Sequence, residues 1–168
     1  MEQQVKDQKL QYFYEKYKNT PIQSLFNTTR ATQEVLNGEC VIGAIQYCGS
    51  HFNNNISKDE IVTYFGDKVQ KDSKGNITGI ALNSSDWDDA WNHWFTAIYP
   101  NGQWDLINKV NAGNIACCRL GSSRTHAIVL IGVDENSDAF IYYDPVLGGE
   151  NHKASFTEIY DPRIITEK

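Results

Sequence analysis

The sequence predicts an α+β fold, and three patterns predict it. Helical periodicity dominates up to about residue 112, apolar strand-like runs take over from Asn114, and no repeat or long linker divides the chain. With 168 residues, 40% of them hydrophobic and 12% aromatic, the chain is long and apolar enough to bury a core, so residues 1–168 read as one domain.

Val5, Leu10, Tyr12, Phe13 and Tyr17 recur at helical spacing and predict a first amphipathic helix, stopped before Asn19-Thr20-Pro21. Residues 19–39 are rich in Asn, Thr, Gln and Gly and read as a loop that ends at Asn37-Gly38-Glu39. Cys40 to Cys48 reads as a buried helix, although its Val and Ile content leaves a strand open. Ser57-Lys58-Asp59-Glu60 has the spacing of a capping box, with Ile61 to Phe65 as the apolar side of a further helix.

Residues 66–83 are polar and read as loop or a short hairpin turning at Lys74-Gly75-Asn76. Ser85 and Asp88 fit a second cap. Behind them Trp87, Trp91, Trp94 and Phe95 form an aromatic stripe. A binding platform for carbohydrate or peptide is one reading, but spacing of three and four along a helix assigns the stripe to a core. Trp104 to Ala112, followed by Gly113, predicts another helix with a glycine stop.

The strand signals are Ile115 to Leu120, Thr125 to Val133 and Ala139 to Tyr143. A tight turn at residues 134–138 makes the last two antiparallel neighbours. Phe156 and the segment Arg163 to Thr166 are expected to add edge strands.

A formal charge of -6 without a run of Lys or Arg argues against nucleic acid as a partner. No segment approaches the ~18 to 20 apolar residues of a membrane helix, and the polar amino terminus does not read as a secretory signal. Cys40, Cys48, Cys117 and Cys118 form no dense disulfide pattern, and no Cys-x-x-Cys or His-x-x-x-His pair supports a metal. On a strand, adjacent Cys117 and Cys118 point to opposite faces.

A thiol attacks as thiolate and needs help, because a free cysteine with pKa near ~8.5 is mostly protonated at neutral pH. At the start of a helix Cys40 would gain that help from the helix dipole and a nearby imidazolium, so its pKa is expected to be lowered. Taken alone, a cysteine there is more often a small buried apolar residue than a catalyst, and the residues downstream reverse that reading. His126 heads an apolar strand and reads as a base or as a histidine held by a backbone partner. Asp144 ends the next strand, where the hairpin returns it close to His126 to accept a ring N–H; a simple Asp-Pro turn start is the plain alternative. His51, His93 and His152 compete with His126, but His51 lies too far along the helix and the other two have no carboxylate expected beside them.

Thr125-His-Ala-Ile-Val-Leu-Ile-Gly-Val-Asp134 followed by Phe140-Ile-Tyr-Tyr-Asp-Pro-Val-Leu-Gly-Gly149 resembles the double-glycine leader peptidase-like families of the papain-like cysteine peptidase superfamily. Cys40, His126 and Asp144 fall on their nucleophile, base and orienting positions in the same order. The close match covers about a third of the chain, and Cys40-Val41-Ile42 departs from the usual Cys-Gly-Pro.

The resemblance implies a papain-like fold with the nucleophile helix packed on a C-terminal antiparallel sheet. It also implies a thiol hydrolase that cleaves peptide or isopeptide bonds through a thioester, with a protein or peptide substrate and no cofactor. Relatives carry an oxyanion-binding Gln about six residues before the nucleophile; here Gln33 lies seven before, with Asn37 as second choice. The same triad order serves transglutaminase- and acyltransferase-like enzymes, and a peptide-binding module without catalysis is the rival from another class. Retention of all three residues favours catalysis. Substrate specificity is expected in loops such as 66–83 and 96–104. Oligomeric state stays open, as does the choice between the cytoplasm and export as a bacterial effector.

Overall fold

The structure, a computed structural model, describes the backbone of residues 2–26 and 33–168 and the side chains from residue 8 onward. Val5's side chain and part of the expected 19–39 loop therefore lie outside the described residues. The helices are α1 (Glu2–Tyr17), α2 (Gly38–His51), α3 (Lys58–Phe65), α4 (Ser84–Trp94) and α5 (Gln103–Asn111). The strands are β1 (Glu34–Leu36), β2 (Val69–Lys71), β3 (Ile77–Leu82), β4 (Thr96–Ile98), β5 (Ile115–Leu120), β6 (Ala127–Asp134), β7 (Ala139–Tyr143), β8 (His152–Ser155) and β9 (Ile159–Thr166). They form two antiparallel sheets, ordered β1-β3-β2 and β4-β9-β5-β6-β7-β8.

The large sheet is covered on both faces. Because side chains alternate along a strand, Cys117, Ala127, Val129 and Ile165 join a core with α2, α3 and α4, whereas Cys118, Ile128, Leu130 and Ile164 join a second core with α1 and α5. The neighbours Cys117 and Cys118 thus end on opposite sides, as their spacing requires. Burial on both faces is also why β5 is buried along its whole length and its sequence shows no polar alternation.

The helix stripes sort as amphipathic packing demands. Phe13 and Tyr17 of α1 are buried, but Tyr12, expected on the same face, is 47% exposed. Trp87, Trp91, Trp94 and Phe95 are all buried core, as their spacing predicts. The caps shift from expectation. Ser57 accepts the Glu60 N–H at 3.1 Å, but Glu60 does not reciprocate, because its carboxylate instead accepts the Trp94 indole N–H at 2.8 Å. At α4 the reciprocal cap is Asn83 with Asp86, two residues earlier than Ser85 and Asp88, and Asp88 pairs with Arg163 at 3.1 Å.

The C-terminal segment is corrected most. Phe156 sits in a single 3-10 turn, wedged edge-on against Phe13, Tyr17 and Phe140, and not in an edge strand. Residues 163–166 belong to β9, an interior strand between β4 and β5. Two devices let Asp161 and Pro162 lie inside a sheet. The pairing with β5 shifts register around them, so the missing proline N–H breaks no ladder bond, and Asp161 takes φ +54 there. Its buried carboxylate accepts from Ser24 Oγ and the Leu25 N–H.

Candidate active site

Asn37 begins the site. Its side-chain oxygen accepts the N–H groups of Glu39 at 2.9 Å and Cys40 at 3.2 Å, so it caps α2 and places Cys40 in the first turn. The helix reading of Cys40 to Cys48 holds, since α2 buries Cys40, Val41, Ile42, Ala44, Ile45 and Cys48. That capping bond makes Asn37 a competitor for the Cys40 N–H here, the opposite of an oxyanion donor. Gln33 lies just before β1 with its side chain exposed.

The Cys40 thiol is turned inward and fully buried. Its sulfur accepts the Ala127 N–H at 3.0 Å, and its single proton faces the carbonyls of Asn37 at 3.0 Å and Thr125 at 3.5 Å. Among the described residues no hydrogen bond joins this sulfur to His126. Burial pushes the thiol pKa up to about 11; the Ala127, Val41 and Cys40 N–H groups oppose that rise and the charge of Asp144 adds to it. This corrects the expected lowering. The sulfur is buried with only backbone partners within hydrogen-bonding distance, so desolvation outweighs the helix terminus.

His126 lies between Thr125 and Ala127, both in contact with that sulfur, immediately before β6. Its backbone is fixed by an N–H bond to Ser123 O at 2.9 Å and by the Leu120 N–H on its carbonyl at 3.0 Å. Its Nε2 is 3.1 Å from Asp144 Oδ2. The hairpin of β6 and β7 makes this meeting, as the tight turn at 134–138 predicts.

Asp144 directly follows β7 and is 3% exposed. Burial pushes its carboxyl up, but the Leu147 and Val146 N–H groups on Oδ1 and the His126 ring together outweigh it, and the pKa lies below the ordinary value. Asp144 is therefore a carboxylate at neutral pH and can only accept, so the His126 tautomer that matches it carries its proton on Nε2 and presents Nδ1 on the other side of the ring. The turn behind it is tied by Gly148 N–H to Asp144 O at 2.8 Å, and Gly148 and Gly149 take the positive φ values of +75° and +90°.

The competing histidines stand elsewhere. His152 lies in β8, bonds Gly148 O at 2.7 Å and stacks on Tyr142, whereas His93 stacks on Tyr64 and His51 is in the last turn of α2. Cys48, Cys117 and Cys118 are buried, and burial pushes each of their pKa values up.

Sequence reasoning missed Gly43. A Cβ there would meet Pro145 Cβ at 2.8 Å and Pro145 O at 3.4 Å, so only glycine lets α2 press against the turn that carries Asp144. A glycine among β-branched residues in a helix was the available signal. Gly43→Ala should move that turn by a few tenths of an ångström. The expected result is a fall of about 10- to 100-fold in kcat/KM on a fluorogenic peptide library, with a smaller effect on the thermal midpoint because Ala favours a helix by about 1 kcal/mol.

A cavity of about 340 Å³ opens beside α2, lined among others by Glu39, Gly43, Tyr47, Lys58, Tyr143 and Pro145. A second of about 220 Å³ shares Glu39 and Lys58 and is bordered by the β2–β3 hairpin through Lys71, Gly75, Asn76 and Ile77. The 66–83 segment thus approaches the site. The 96–104 segment does not, since it starts with β4 at the far edge of the large sheet from the β6–β7 pair. Among the described residues no helix is long and apolar enough to cross a membrane, and no three His, Cys, Asp or Glu side chains gather as a metal site.

Among curated protein sequences, none matches the chain. Several solved structures resemble it, among them the following two. One is a protein from Bacillus anthracis described as a C39-like peptidase, with 12% identity and a TM-score of 0.54 over 89% of this chain and 96% of that one. The other is the peptidase domain of Streptococcus ComA, a bifunctional ABC transporter of a quorum-sensing pathway, with 12% identity and a TM-score of 0.46 over 80% of this chain and 98% of that one. The first likeness shows the fold. A sequence profile matches residues 9–163, which takes in α2, the β6–β7 hairpin and the turn at Asp144, and through it the chain belongs to the Peptidase_C39 like family, a family of cysteine peptidases.

Proposed function

We propose that the protein is a cysteine peptidase in which Cys40 is the nucleophile, His126 the base and Asp144 the group that orients the base. The observation that carries this reading is the 3.1 Å contact of His126 with Asp144, made where the sulfur of Cys40 touches the backbone on both sides of His126.

In this reading the Cys40 side chain turns from the Ala127 N–H toward His126 Nδ1, which takes the thiol proton. The thiolate adds to the carbonyl carbon of a peptide or isopeptide bond. The oxyanion accepts from the Cys40 N–H, released from Asn37, and from the amide of Gln33. His126 then protonates the leaving amine, a thioester remains, and water deprotonated at Nδ1 hydrolyses it to restore the thiol.

The rival is a peptide-binding module that does not cut, and the buried protonated thiol favours it. Two labels separate them. Iodoacetamide reads the resting thiol, and its rate on Cys40 is expected to climb about tenfold per pH unit through the alkaline range toward pH 11, because only thiolate reacts. A peptide-linked epoxide, which must occupy the site, should label Cys40 at pH 6 to 7 in wild type and fail on His126→Ala. Equal epoxide labelling of Cys40 and Cys48, or labelling indifferent to His126→Ala, overturns the peptidase reading.

A further inference from the structure

We propose that Arg119 and Glu34 are positioning residues for this site: one partly buried ion pair sets the spacing between the strand that leads into the Cys40 helix and the loop that delivers His126. The inference rests on the peptidase reading above.

Arg119 is on β5 and is 1% exposed, so its charge must be met by protein groups. Its Nε donates to Arg124 O at 3.0 Å, and Nη2 donates to the same carbonyl. Nη1 and Nη2 reach the two carboxylate oxygens of Glu34 at 3.2 and 3.5 Å. Asp161 lies 3.6 Å from Nη1, and the guanidinium carbon sits 4.4 Å over the ring of Phe26. Arg124 returns to Glu34 at 3.3 Å, which balances two cations against two carboxylates.

The partners explain the role. Glu34 is the first residue of β1, directly after Gln33 and six before Cys40, and Arg124 is two before His126. Beyond this pair the two segments stay in contact, with the Asn37 N–H on Thr125 O at 2.9 Å and the Ala127 N–H on Cys40 sulfur at 3.0 Å. Arg119 grips both at their upstream ends from a third strand. A guanidinium suits that task because its donors form a rigid planar fork, so it fixes a distance and an angle together. Nucleophile and base need such control, since an error near 1 Å can cost about 100-fold in rate.

The sequence signal was slight. Arg119 interrupts an apolar strand, a place where a charge is kept only with partners.

Removing Arg119 would strand Glu34 and Asp161, and Arg119→Met is at risk of not folding. The test therefore uses Glu34→Gln, which keeps the shape and removes one charge, with Glu34→Asp as the conservative variant and Arg119→Lys as a second approach. The probe is the peptide-linked epoxide at pH 7, and its maximal inactivation rate and half-saturating concentration are measured separately, together with the thermal midpoint.

Glu34→Gln is expected to lower the maximal rate about tenfold or more with the half-saturating concentration unchanged, Glu34→Asp to recover part of it, and Arg119→Lys to follow Glu34→Gln. A lower midpoint with an unchanged maximal rate makes the pair merely structural and overturns the inference. If wild type is labelled at Cys40 in a His126-dependent way while Glu34→Gln matches it, the inference alone falls. If wild-type Cys40 is not labelled, the peptidase reading falls and takes the inference with it.

Discussion

Cys40→Ala is expected to lower kcat/KM on a fluorogenic peptide library by about 10⁴- to 10⁶-fold, the loss seen when a covalent nucleophile is removed. Adding His126→Ala to it should cost little more, because a base with no nucleophile to serve has nothing left to lose. The fold should survive. Alanine suits the first turn of α2, and the main structural cost is the Ala127 N–H, which loses the sulfur at 3.0 Å and is left buried, worth about 1 to 3 kcal/mol. Cys40→Ser restores an acceptor there and should be the more stable of the two, equally inactive. Residual activity within tenfold of wild type for both variants would rule Cys40 out as nucleophile.

Asp144→Asn should lower kcat/KM by about 10²- to 10⁴-fold, with little change in the half-saturating substrate concentration. The amide oxygen can still accept the Val146 and Leu147 N–H groups at 2.9 and 3.0 Å, so the turn keeps its shape. The amide nitrogen then replaces Oδ2 opposite His126, and it only donates. The imidazole must move its proton to Nδ1 to present an acceptor at Nε2, and Nδ1 ceases to be a base.

Acid unfolding offers a second readout. Because the folded pKa of Asp144 lies below its unfolded value near 3.9, its ionised form adds stability that is present above that value and lost as pH falls through the folded pKa. Asp144→Asn lacks that dependence, so the two thermal midpoints should begin to approach each other as pH falls below about 4 and meet only below the folded pKa of Asp144. A variant with wild-type kcat/KM would remove Asp144 from the mechanism.

Local signals carried most of the fold. The start of α2 was legible because Asn37-Gly38 marks a turn before a long apolar run, and the capping bond of Asn37 realises it. The approach of His126 and Asp144 was legible because the tight turn brings the open ends of β6 and β7 together, although the register shift between Leu130 and Gly132 was not. The cap of α4 slipped by two residues because Asn83-Ser84-Ser85-Asp86 offers several registers for the same hydrogen bonds.

What could not be read was long-range. β9 lies inside the sheet only because β4 and β5, far upstream, pair with its two edges, and nothing local to residues 163–166 tells an interior strand from the expected edge strand; Ser24, Arg119, Asp88 and Tyr99 gather around Asp161 and Arg163 from distant parts of the chain. The inward turn of the Cys40 thiol depends on the Ala127 N–H, which no spacing within α2 reveals.

That inward turn also bears on survival under oxidative stress. Cysteine attacks peroxide and oxidised glutathione as thiolate, and a thiol whose pKa is pushed up to about 11 holds only about one part in 10⁴ in that form at neutral pH. If Cys40 is the nucleophile of the proposed mechanism, burial that keeps it protonated also shields it from sulfenic acid formation and glutathionylation.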